Sequence, residues 1–309
     1  MPKVSVIVPV YGVEMYIERC VRSLFEQTLD DIEFLFIDDC TPDKSIEILK
    51  SVLEEYPKRK EQVIIHRMKQ NSGQAKVREW GMRNATGEFL THCDTDDWVE
   101  NTMYEEMYQM AIKESADMVC SDFFIEKEDS SEVYPGYVDG DNIHNFLLRR
   151  NKCVLWNKII KSELFRKKDF IFPLGNMGED MAMILQILPF CNKIAYLSKA
   201  YYHYVCNIKS ICHVKDSDSV IRKYLQLKSN VDLIIDIYSK MGLYSKYKQE
   251  FVSLKYHVRK ILELFLKQDF VYEFWKSTYP EIKYKVFFCD YIRFRDKIKY
   301  SLLALKIIR

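Results

Sequence analysis

Four short β-branched runs alternate with stretches of helical periodicity over the first hundred residues, and this alternation constrains the chain more than any single motif. Residues 4–8 (Val-Ser-Val-Ile-Val), 32–37, 63–66 and 88–93 read as strands. Between them, Ile17, Val21, Leu24 and Phe25 share one side of a helix, Asp43 caps a second that runs to about Tyr56, and residues 75–85 form a third that ends at Gly87. Strands joined through helices of this length pair in parallel by right-handed crossovers. The expected fold class is α/β, with a Rossmann-like, mostly parallel sheet.

Such sheets bind ligands beyond the carboxyl ends of their strands, so the polar residues there carry information. Strand one ends at Pro9-Val10-Tyr11, strand two at Asp38-Asp39, and strand four at Asp94-Thr95-Asp96-Asp97. Five carboxylates on one edge repel one another unless a cation or hydrogen-bond donors offset them. The plainer reading is that Asp is a good loop and cap residue, as Asp43 and Asp97 ahead of helices suggest. No GxxxxGK[ST] and no glycine fingerprint follows strand one, so a phosphate here needs a divalent ion. A net charge of +1 (46 Lys plus Arg, 45 Asp plus Glu) speaks against a uniformly basic nucleic-acid binder. Hydrophobic and charged fractions of 48% and 29% are those of a soluble globular chain. Nine cysteines without a CxxC pair speak against a zinc or disulfide framework. With no leader-type segment and no run of ~20 apolar residues, the expected location is the cytoplasm.

Val4-Ser5-Val6-Ile7-Val8-Pro9-Val10-Tyr11, Ile37-Asp38-Asp39-Cys40-Thr41-Pro42-Asp43, Asn71-Ser72-Gly73 with Arg78, and Asp94-Thr95-Asp96-Asp97, in this order and spacing, resemble family 2 glycosyltransferases. The resemblance implies a GT-A domain over residues 1–215, with a nucleotide-binding half (1–98) and an acceptor half (99–215), and inverting transfer from a UDP-sugar. By the same resemblance Pro9, Val10 and Tyr11 line the uracil pocket and Asp39 accepts the uracil N3 proton. Glu14, Asn71, Arg78 and Thr95 fall where the family contacts the nucleoside. Asp94 and Asp96 correspond to a DXD pair, the first near ribose and the second on Mn²⁺ or Mg²⁺, which would act as Lewis acid toward the departing diphosphate. Glu179-Asp180 matches the family's acceptor-side motif, with Asp180 as base and Glu179 orienting the acceptor; the same acids also suit a helix start. Trp156-Asn157-Lys158 matches an acceptor-half motif in which Trp156 is either a sugar platform or a core residue. Residues 202–211 resemble a loop over the diphosphate. There Val205 stands where the family usually has Arg, and Lys209, Ser210 and His213 are candidate contacts.

Beyond residue 216 the spacing becomes that of two amphipathic helices, Val220 to Met241 and Tyr247 to Phe265, separated by Gly242. They read as a helical extension over 216–309 that packs as a pair, with a homo-oligomer as the other use. The tail at 291–309 holds six cations against one acid, interleaved with apolar residues, a pattern suited to an anionic membrane surface or to a solvated helix. The expected partners are a UDP-sugar and a glycan or lipid-linked glycan acceptor, with such a membrane as the partner under the first reading of the tail, and no nucleic acid. The resemblance places the activity in capsule, exopolysaccharide or lipopolysaccharide synthesis. Two alternatives remain: a catalytically inactive sugar-nucleotide-binding scaffold, and a haloacid-dehalogenase-type phosphatase, since residues 89–96 also form a strand followed by DxD.

Overall fold

A computed structural model of the chain describes residues 1–167, 169–206 and 217–304. The first apolar run becomes β1 (Val4–Val10), buried along its length apart from a half-buried Pro9. Such continuous apolarity is what a parallel strand covered on both faces requires. α1 (Ile17–Phe25) buries Ile17, Cys20, Val21, Leu24 and Phe25, the stripe expected from the sequence plus Cys20. β2 (Ile32–Asp38), α2 (Ser45–Glu55), β3 (Val63–Arg67), α3 (Gln74–Asn84) and β4 (Phe89–His92) follow. These four strands lie in the order β3-β2-β1-β4, all parallel, with Val10 opposite Asp38 and Asp38 opposite Arg67. Their carboxyl ends therefore share one edge.

One glycine lets α3 lie close against this sheet. A Cβ on Gly81 would stand 2.6 Å from Ile7 Cγ2 and 3.2 Å from Ile37 Cδ1, inside contact distance. α3 carries Arg78, so its seating on β1 and β2 also sets where that guanidinium reaches.

Past β4 the sheet becomes mixed. β5 (Trp98–Val99), α4 (Met103–Glu114), β6 (Met118–Lys127), β7 (Ser130–Tyr134), β8 (Lys158–Lys161) and β9 (Ile194–Val205) complete it. β8 pairs antiparallel with β4 and β6, while β9 pairs parallel with β6 and antiparallel with β5. Through β5, the last strand of the sheet reaches back to the acidic segment after β4.

The chain divides into two compact units. The first holds the sheet and comprises residues 1–139, 152–172 and the described residues within 187–207. The second comprises residues 140–151, 173–186 and the described residues within 208–309. A single boundary at residue 215 does not reproduce this division, because 140–151 and 173–186 fall with the C-terminal helices. The second unit contains α5 (Asn142–Leu147), α6 (Glu179–Ile187) save its last residue, α7 (Ser217–Lys240), α8 (Lys248–Lys260), α9 (Asp269–Ser277) and α10 (Phe294–Ala304). Val231, Ile234 and Tyr238 of α7 and Phe251, Leu254 and Val258 of α8 are buried, as the helical spacing predicts. Gly242 ends α7 at φ +72°, a left-handed position that costs glycine little. No described helix is long and apolar enough to cross a membrane.

Candidate active site

The acidic segment after β4 shows three neighbouring aspartates with three different surroundings. Asp94 is held from α3: Arg78 Nη2 donates to its Oδ1 at 2.9 Å and Gln74 Nε2 donates to the same oxygen at 3.2 Å. Arg78 is 1% exposed, so this ion pair is sheltered from solvent screening on its cationic side. Asp97 is tied instead to β9. Tyr202 Oη donates to Asp97 Oδ2 at 2.7 Å and the Val205 N–H donates to Oδ1 at 2.8 Å. The same Tyr202 oxygen accepts from the Asp94 N–H at 3.0 Å.

Asp96 lies between them and no side chain bonds its carboxylate among the described residues; it receives a backbone hydrogen bond from its own residue. Burial, and then the charge of Asp94, push its pKa up. Arg19 Nη2 bonds the Asp96 carbonyl at 3.3 Å rather than its carboxylate. Burial followed by the charges of Asp96 and Asp94 raises Asp97 as well. A carboxylate held in this state suits a divalent cation, which removes the repulsion that raises it. Among the described residues no three His, Cys, Asp or Glu side chains converge as a ligand cage. Mn²⁺ or Mg²⁺ bound through one or two carboxylates plus substrate phosphates needs no such cage, so the donor set fits.

The other strand ends are already hydrogen-bonded. Asp38, 1% exposed, takes Arg67 Nη1 at 2.7 Å on one oxygen and the Thr41 N–H at 2.7 Å on the other. Asp39 accepts the Ser72 N–H at 2.7 Å and the Gly73 N–H at 2.8 Å, one on each oxygen, and thereby positions the turn that opens α3. Gly73 takes φ +83° there. Each Asp39 oxygen keeps a second lone pair for a further donor. Asp43 closes the neighbouring turn. Burial disfavours its charge, but hydrogen bonds from Ser45 and Thr41, then from the backbone of Glu14 and Ser45, outweigh that and bring its pKa down to about 2.

Among the other residues singled out from the sequence, Tyr11 is 50% exposed and free to present a ring face, while Val10 is fully buried and contributes its carbonyl to the Asp39 N–H. Thr95 is buried, its hydroxyl on the Pro9 carbonyl at 3.0 Å, so it joins the acidic segment to β1. Glu14 is exposed and accepts the Lys44 N–H, and Asn71 is exposed just ahead of α3. Glu179 and Asp180 open α6 in the second unit, after Gly178 at φ +77°. Asn230 Nδ2 fixes that entry by donating to the Met177 and Gly175 carbonyls at 2.9 and 3.2 Å. Lys209, Ser210 and His213 lie outside the described residues.

One open alternative closes here and one sequence expectation is corrected. Trp156 is 5% exposed, stacked 4.2 Å from Tyr202 and packed edge-on to Phe123, so it belongs to the core and offers no sugar platform. Asp97 leads into β5 and not into a helix, and its carboxylate bonds β9 where a cap was expected. Sequence reasoning missed Tyr202 as the group joining Asp94 to Asp97. It also missed Gln74, although that residue stands one turn before Arg78 on the same helix face, a usable signal.

The model of Glycosyl transferase family 2 matches residues 5–173. Glycosyltransferase GlyA of Streptococcus pneumoniae serotype 4 is 28% identical over 217 residues, which is 65% of this chain and only 30% of GlyA. The uncharacterized glycosyltransferase EpsJ of Bacillus subtilis is 28% identical over 265 residues, 81% of this chain and 74% of EpsJ. The crystal structure of S. aureus TarS 1–349 in complex with UDP-GlcNAc superposes with a TM-score of 0.62 at 18% identity, covering 84% of this chain and 81% of that one. The match spans more than half of the chain and runs through every strand-end motif described above, and the chain belongs to glycosyl transferase family 2, with the GT-A fold.

Proposed function

We propose that the chain is an inverting, metal-dependent glycosyltransferase that moves a sugar from a UDP-sugar to an acceptor hydroxyl in the assembly of a bacterial capsule, exopolysaccharide or lipopolysaccharide. The observation that carries this reading is the division of labour at the acidic edge: Asp94 is engaged by Arg78 and Gln74, Asp97 by Tyr202 and Val205, and the Asp96 carboxylate has no side-chain donor among the described residues. Asp96 would hold Mn²⁺ or Mg²⁺, and the ion, when bound, supplies charge neutralisation for the diphosphate leaving group. Asp94, oriented by Arg78, accepts hydrogen bonds from the ribose hydroxyls. Tyr11 stacks on the base, and Asp39 uses a remaining lone pair for the N3–H of uracil, a proton that cytosine lacks. The UDP-GlcNAc complex of TarS supports the choice of a uridine donor. Asp180 takes the proton of the acceptor hydroxyl as its oxygen attacks the anomeric carbon, so no covalent enzyme intermediate forms. Glu179 orients the acceptor, a glycan or lipid-linked glycan.

Calorimetric titration of UDP with and without Mn²⁺ tests the donor half. Asp96→Ala should abolish the metal-dependent part of binding, and Asp180→Asn should keep it while losing transfer. Undiminished metal-dependent UDP affinity in Asp96→Ala sinks the assignment.

A further inference from the structure

The second unit carries a surface whose composition differs from the rest of the chain. Between Ile282 and Ile292 the backbone runs through successive tight turns, with the N–H groups of Val286, Phe287, Phe288, Cys289 and Ile292 donating to carbonyls three or four residues back. Ile282, Val286, Cys289 and Ile292, at most 4% exposed, turn inward at intervals of four, three and three. That leaves Tyr284, Phe287 and Phe288 outside, 69%, 41% and 79% exposed. α10 repeats the pattern. It buries Tyr300 and Leu303, while Phe294 and Ile298, one turn apart, are 77% and 47% exposed. Helical spacing places Arg295 and Lys297 on opposite flanks of that exposed Phe294–Ile298 row.

The charges in this stretch are predominantly positive, and five of the six cations make no ion pair among the described residues. Residues 283–299 contain six cations and two acids, in a chain whose total is +1. Asp296 is neutralised by Lys260 of α8 at 3.1 Å, and Lys299 pairs with Glu263 at 2.6 Å. Lys283, Lys285, Arg293, Arg295 and Lys297 have no ion-pair partner among the described residues. Aromatic side chains exposed to this degree in a row are unfavourable in water unless something covers them. The cover must be apolar at the centre and negative at the rim. A second copy of the same face would set these cations against their own kind.

We propose that residues 283–298 form a docking face for an anionic lipid bilayer, with Tyr284, Phe288, Phe294 and Ile298 entering the headgroup region and the five cations meeting lipid phosphates. The face differs from the 291–309 tail expected from the sequence: it starts eight residues earlier, Ile292 turns inward, and 305–309 lie outside the described residues. This inference does not rest on the transferase reading, and the two fail separately because UDP binding is measured on the same samples.

The test is co-sedimentation of the full chain with vesicles of phosphatidylcholine alone and with vesicles also containing phosphatidylglycerol, at low and high salt. Binding is expected only to the anionic vesicles and should fall with salt. The triple variant Arg293→Gln, Arg295→Gln, Lys297→Gln should weaken it on the order of a hundredfold. Phe288→Ser with Phe294→Ser should weaken it by about tenfold or more. Val133→Ser, an exposed apolar residue of the first unit, should leave it unchanged. An unchanged far-ultraviolet circular dichroism spectrum and urea midpoint in all variants report an intact fold. Equal binding to neutral vesicles, insensitivity to both sets of changes, or self-association abolished by the Phe288 and Phe294 changes without vesicle binding would each overturn the proposal. So would equal affinity for a single-stranded oligonucleotide.

Discussion

Tyr202→Phe removes one oxygen from the centre of the acidic segment, and its cost can be worked out from two bonds. The residue is fully buried on β9, and its hydroxyl donates to Asp97 Oδ2 at 2.7 Å while accepting the Asp94 N–H at 3.0 Å. The ring's stack on Trp156 survives the substitution, so no cavity larger than the lost oxygen forms. A hydrogen bond to a carboxylate is worth ~1.5–3 kcal/mol, and one to a backbone amide ~1 kcal/mol. The expected loss is therefore about 2–4 kcal/mol, a large share of a stability of ~5–15 kcal/mol. Urea unfolding should show a lower midpoint with an unchanged slope. Metal-dependent UDP binding should weaken in parallel, since the segment carrying Asp96 loses its tie to β9. Tyr201→Phe is the matched control: its hydroxyl bonds Glu106, which also pairs with Lys199 at the surface, so the carboxylate keeps a partner and the cost should be ~1 kcal/mol. A Tyr202→Phe cost below ~0.5 kcal/mol, or one no larger than that of Tyr201→Phe, would refute the reasoning.

Three further outcomes follow from the same structure. Gly136→Ala should destabilise by about 3 kcal/mol or more in urea unfolding, because its Cβ would stand 1.9 Å from the Ser121 carbonyl oxygen, a backbone atom that cannot step aside. Gly81→Ala should cost about 1–3 kcal/mol by forcing α3 off Ile7, less ~1 kcal/mol regained from helix propensity. It should also weaken UDP binding, since Arg78 rides on α3; full UDP affinity would show that Arg78 is placed independently of that packing. Burial, then the charges of Arg78 and Arg149 respectively, holds His92 well below its ordinary pKa and brings His257 down to about 4. Below pH 6.5 the unfolded chain therefore binds protons that the folded chain refuses. Stability should fall with decreasing pH from 6.5 to 4, by up to ~1.4 kcal/mol per pH unit for each imidazole, and show no contribution from either above 6.5. His257→Gln should flatten that slope in urea midpoints taken across the range, and an unaltered slope would remove His257 from the account.

What the sequence disclosed and what it withheld divide along sequence separation. The β-branched runs and the α1 stripe of Ile17, Val21, Leu24 and Phe25 were legible because burial acts at periods of two and about 3.6 within one element. The convergence of Asp39, Asp94 and Asp96 on one edge was legible too, because parallel pairing brings all carboxyl ends of strands to the same side. The break at Gly242 was legible because a left-handed residue leaves a local mark. The partners of the acids were not. Asp97 finds Tyr202 and Val205 more than a hundred residues away, through a strand that returns to pair with Trp98–Val99, and nothing near Asp97 encodes that return. An acid just before an apolar stretch reads locally as a helix cap, and the same ambiguity turned a core tryptophan at 156 into a candidate platform, because its neighbours Phe123 and Tyr202 come from other strands. Chemistry at this edge thus depends on the non-local layer. Three aspartates with nearly the same local sequence differ because α3 supplies donors to the first and β9 to the third. The second is left with a carboxylate that burial and its neighbour make costly to ionise, which is the condition under which binding a divalent ion yields the most.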